Sequence, residues 1–154
     1  MKKILTGLGL GAALLFASTP ANAVTGLSWT YSVPGVINNG TIATFIACTN
    51  GNTTSVTVGV EIYQADGTLL NTASTTAISV GPNATVLFGT TASNPATLAI
   101  DANLAPGAVT KGSAHIVTSG TKIFCSAFLA DPTGNPPVAM TTLSIIKKAS
   151  QRGQ

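Results

Sequence analysis

The sequence predicts an all-β fold, an antiparallel β-sandwich of eight or nine short strands, and three observations carry that reading. Apolar and polar residues alternate at period two, as in Val56, Val58, Val60 and Ile62 set against Thr57, Gly59 and Glu61. Clusters of Gly, Pro, Asn and Asp recur every roughly 8 to 15 residues, close to the strand spacing of sandwiches and barrels. Beyond residue 23 no stretch longer than a few residues holds helical periodicity. The chain of 154 residues, 45% hydrophobic, is long enough to bury a core of its own.

The first expected strand covers residues 27–33, where Leu27, Trp29, Tyr31 and Val33 alternate with Ser28, Thr30 and Ser32 until Pro34-Gly35 ends the run. Asn38-Asn39-Gly40 turns the chain into a second strand over 41–49, with Ile42, Thr44, Ile46 and Cys48 on one face. After Asn50-Gly51-Asn52 the third strand runs from Val56 to Ile62. It closes at Ala65-Asp66-Gly67, a loop in which glycine supplies positive φ. Shorter strands are expected at 69–72, 76–80 and 85–89, with Gly81-Pro82-Asn83 between the last two. From 91 to 111 the only alternation is that of Leu98, Ile100, Ala102 and Leu104. Strands at 113–118 and 121–129 read as a hairpin about Ser119-Gly120, the second with Ile123, Cys125, Ala127 and Leu129 on one face. A proline-rich loop at 131–137 leads to the final strand, 138–146.

Ahead of this body, Lys2 and Lys3, the apolar run from Ile4 to Phe16 and the small residues of Ala21-Asn22-Ala23 form a secretory signal peptide, cut after Ala23. The organisation is therefore a signal peptide at 1–23, one β-sandwich domain at 24–146 and a polar basic tail at 147–154. No later run approaches the ~20 apolar residues of a membrane span, so no membrane insertion of the mature chain is expected. Cleavage leaves five basic residues, Lys111, Lys122, Lys147, Lys148 and Arg152, against Glu61, Asp66, Asp101 and Asp131, a net charge of +1. Nucleic acid is not an expected partner, because no basic stripe marks the body.

The destination is periplasmic or extracellular, an oxidising place in which the even pair Cys48 and Cys125 is expected as a structural disulfide. A cysteine on an early strand and another on a late one resemble, in general architecture, the immunoglobulin-like sandwich. That resemblance implies a bond crossing the core. The tryptophan expected on the strand after the first cysteine is missing, since Glu61-Ile62-Tyr63 stands there and the single tryptophan is Trp29.

Catalytic groups are scarce. His115 is the only histidine, and its phase opposite to Ala114 and Ile116 makes it an ordinary surface residue on a strand. A copper site of the blue-copper kind needs two histidines and is excluded. Asp66 and Asp131 sit in turns, where aspartate binds its own backbone, and Glu61 lies mid-strand on the face opposite the valine row. The oxygens of 131–135 are too few in charge for calcium and read as a plain turn. Trp29, Tyr31 and Tyr63 could stack on a sugar or peptide, yet Trp29 and Tyr31 share a phase with Leu27 and Val33, so core packing is the simpler reading. The expectation is no enzyme, no metal and no cofactor. The sequence points to a small secreted bacterial structural or interaction module, a surface-fibre, matrix or envelope-assembly component whose partner is its own kind or another envelope protein. The alternative is a soluble carbohydrate- or small-ligand-binding protein. A concave pocket lined by Tyr63 or Trp29 would favour the alternative.

Overall fold

The computed structural model describes residues 26–96, 98–134 and 138–149. The expected signal peptide and the last five residues of the tail lie outside that range. Ten strands and one helical turn make up the described chain: β1 (Ser28–Asn38), β2 (Ala43–Asn50), β3 (Val56–Gln64), α1 (Ala73–Thr76), β4 (Ile78–Val80), β5 (Thr85–Gly89), β6 (Ala102–Asn103), β7 (Val109–Thr118), β8 (Ile123–Ala130), β9 (Ala139–Leu143) and β10 (Ile146–Lys147). The all-β expectation holds, and no described helix is long and apolar enough to cross a membrane.

The strands fall into two leaves. One has the order β4-β3-β7-β1-β10 and the other β6-β5-β2-β8-β9; they join where Asn38 of β1 pairs with Ala43 of β2. All pairings are antiparallel except β5 with β6. The period-two pattern explains why the leaves face each other. Val58, Val60 and Ile116 from the first share one buried cluster with Ile46, Phe88 and Ala127 from the second. Each such side chain contributes about 1.5–3 kcal/mol when fully buried. The Tyr31 hydroxyl crosses between the leaves to donate to the Ile123 carbonyl.

Cys48 and Cys125 are bonded, but not across the core. They are direct partners on the neighbouring strands β2 and β8, with Cα atoms 4.2 Å apart. The reason lies in the chain's path at Ser119-Gly120. β7 pairs with β1 and β3 in one leaf, whereas β8 pairs with β2 and β9 in the other, so the expected hairpin is instead a crossing between leaves. That crossing brings the late cysteine beside the early one in a single sheet.

Other departures are local. Residues expected as a strand from Thr76 begin in α1, whose Ala77 N–H bonds the Ala73 carbonyl at 2.8 Å. Of the alternating run at 98–104 only β6 pairs as a strand. Leu98 and Ile100 instead cover a second small cluster around Phe45, Ala43 and Ala130 on the outer side of the second leaf. Gly89 permits this cover, since a Cβ there would stand 2.9 Å from the Thr91 carbonyl oxygen and 3.2 Å from Ile100 Cγ2. The final strand divides at Ser144 and Ile145, β9 joining the second leaf and β10 the first. Lys147, placed in the tail by composition, pairs with Tyr31, and the Lys148 N–H bonds the Thr30 carbonyl at 2.8 Å. A two-residue strand and one backbone bond give no periodic signal to read.

Candidate functional site

The outer side of the first leaf carries the chain's rarest side chains. In the β3–β7–β1 ladder Glu61 stands opposite His115, which stands opposite Ser32; the adjacent row holds Gly59, Val117 and Trp29. Trp29 reaches this side through a bulge. The register moves between Trp29, opposite Val117, and Tyr31, opposite Ile116, so two steps of β1 face one step of β7. An extra residue in a strand reverses the phase of everything before it. Tyr31 and Val33 therefore point into the core, while Trp29, 39% exposed, points out. The expectation that Trp29 shares a face with Tyr31 is corrected at this bulge.

The indole stacks on the His115 imidazole, with ring centres 4.0 Å apart and planes at 18°. Its N–H donates to the Tyr31 carbonyl at 3.0 Å. Tyr63 flanks His115 from the β3 side at 4.6 Å and 49°, and its hydroxyl donates to Glu61 Oε2 at 2.9 Å. Lys148 Nζ stands 4.5 Å from the centre of the Trp29 ring, a cation–π contact. His115 is thus on the outer face, as its phase requires, but packed among rings and not free in solvent.

Electrostatics follow the packing. Burial holds the imidazole below its ordinary pKa of 6.5; Glu61 opposes that shift and Lys148 adds to it. The Tyr63 hydroxyl is pushed up to about 12, first by burial and then by its bond to Glu61 and that group's charge. Around neutral pH the cluster therefore holds a neutral imidazole and a neutral phenol.

Trp29, Tyr63, His115 and Glu61 line an open cavity of about 350 Å³, together with Leu27, Ala73 and Val117. Two residues with no catalytic look shape it. A Cβ on Gly59 would come within 2.8 Å of Ala73 Cβ, so only glycine lets α1 lie this close to the sheet. Asn71 holds the approach to α1 by copying a strand partner, its amide oxygen accepting from Ile62 N–H at 2.7 Å and its amide nitrogen donating to the Val60 carbonyl at 2.9 Å. Neither contact has a sequence signature.

The remaining carboxylates are occupied elsewhere. Asp66 accepts from Thr68 N–H at 2.9 Å, and Asp131 accepts from the backbone and hydroxyl of Thr133 at 2.8 and 2.7 Å. These bonds lower both pKa values. Asp101 accepts from Leu87 N–H at 2.7 Å and so ties the covering segment to β5. Among the described residues no three or more His, Cys, Asp or Glu side chains gather as a metal site. Residues 135–137 of the proline-rich loop lie outside the description. No family model, curated protein or solved structure matches the chain. The site's own chemistry has to speak for it.

Proposed function

We propose that the chain is a small exported interaction module, a periplasmic or extracellular component that works by holding a small ligand on the outer face of its first leaf. The observation that carries this reading is the concave cavity lined by both Trp29 and Tyr63. Ligand sites combine a concave apolar wall with a few convergent polar groups, and here rings supply the wall while Glu61 and His115 supply the polar end. A signal-peptide-like start and a disulfide between Cys48 and Cys125 support export. A sugar ring or an apolar group of similar size fits the volume.

Binding is favoured over catalysis because Asp66, Asp101 and Asp131 each hold backbone N–H groups away from the cavity, leaving Glu61 as its only carboxylate among the described residues. Glu61 and His115 do face the same cavity, the pairing a general base would need, so turnover belongs in the same screen. The test is a screen of small sugars, amines and alcohols against the isotope-labelled mature chain, followed by backbone and indole NMR shifts. Saturable shifts at Trp29, Glu61, Tyr63 and His115 are expected. Shifts confined to other strands, or no saturable shift with any compound, would overturn the reading.

A further inference from the structure

We infer that the ligand of this cavity is a small organic cation, an aliphatic amine in its ammonium form whose short apolar stem lies along the rings and whose charged head meets Glu61. The inference rests on the binding reading above and specifies its chemistry. Glu61 is the chain's single glutamate and, among the described residues, the only charged group lining the cavity. Its hydrogen bond is the one from Tyr63, and it forms no ion pair with a described residue. A half-buried carboxylate with one neutral donor keeps acceptor positions unused, and a cationic donor is the strongest partner it can take.

The other lining groups carry no positive charge around neutral pH. Tyr63 presents its ring to the same space, and aromatic rings attract cations; Trp29 contributes its edge, its two faces being taken by His115 and Lys148. The chain itself demonstrates this at Trp29, where Lys148 places its ammonium over the ring. Lys148 does not line the cavity, and its charge, which helps to lower the His115 pKa, is felt there as an opposing field that Glu61 has to outweigh. His115 faces the cavity as a neutral ring and adds no opposing charge. Leu27, Ala73 and Val117 give the apolar surface for a stem of a few carbons.

The experiment is calorimetric titration of the mature chain with n-butylammonium, 1-butanol and butyrate, which share a stem and differ in the charge of the head. Butylammonium should bind at least about tenfold tighter than butanol, the increment of one charge-assisted hydrogen bond, and butyrate should not bind. Glu61→Gln should remove that preference. Lys148→Gln, which takes away a nearby positive charge, should leave butylammonium binding no weaker. The comparison of three probes on the unaltered protein stands even if a variant misfolds. Equal binding of butanol and butylammonium, or tighter binding of a neutral sugar in the screen above, would overturn the cation inference and leave the binding reading intact. Failure of every compound in both experiments would overturn both.

Discussion

Removing the disulfide tests the energetic role of a bond that joins neighbours in one sheet. Cys48 and Cys125 close a loop of sequence separation 77. The chain-entropy relation assigns about 4.5 kcal/mol at 25 °C to a closure of that length, through restriction of the unfolded chain. For a domain of roughly 120 residues each kcal/mol moves Tm by about 4 °C, so Cys48→Ala with Cys125→Ala should lower Tm by about 15–18 °C. Cys48 is fully buried, so its truncation adds a small packing loss in the same direction. The β2–β8 ladder, which runs from Ala43 opposite Ala130 to Asn50 opposite Ile123, should survive with native far-ultraviolet circular dichroism. Scanning calorimetry of both proteins reads the effect. A fall in Tm of less than about 5 °C would refute the loop-closure reasoning.

Three further outcomes are expected. Asn50 is fully buried and donates to the Thr54, Val80 and Gly81 carbonyls, so Asn50→Ala should cost about 3 kcal/mol in urea unfolding by leaving buried acceptors unpaired. Gly59→Val should push α1 away from the sheet, lose about 1–3 kcal/mol and abolish shifts in the ligand screen. Because the folded pKa of His115 lies below its ordinary 6.5, the unfolded chain takes up the proton first as pH falls. Stability should therefore decrease from pH 6.5 downward until the folded pKa is passed, and His115→Asn should flatten that slope in denaturation curves taken between pH 7 and 5. Asp66 and Asp131, with lowered pKa values, contribute stability that is lost only at lower pH, below the ordinary carboxylate value of 3.8.

Regular strands were legible because burial on one face writes period two into the chain. Val56, Val58, Val60 and Ile62 are all buried as the alternation requires, Thr85–Gly89 forms the strand expected of it, and Gly67 takes φ +86° in its turn. The site was not legible, because a single bulged residue, Thr30, decides which way Trp29 points and leaves no mark in the pattern. Read without the bulge, Trp29 belongs to the core and His115 has no ring from β1 beside it. With it, the two rings meet. The same limit applies to pairing: Ser119-Gly120 looks like a hairpin turn in sequence, and only long-range partners send β8 to the other leaf. After residue 91 the alternation of Leu98, Ile100, Ala102 and Leu104 was a poor guide, because Leu98 and Ile100 pack as a cover and not as a strand.

His115 gives the most direct view of the assembled cluster, since the chain has one histidine and hence one imidazole Hε1 resonance to follow by NMR against pH. Stacking on Trp29 at 4.0 Å should displace that resonance upfield by the indole ring current, and its midpoint should lie below 6.5. In Trp29→Ala the resonance should move toward its ordinary position and the midpoint toward 6.5, while the fold persists. A midpoint at or above 6.5 with an ordinary shift, unmoved by Trp29→Ala, would contradict the outer-face cluster and the binding site built on it.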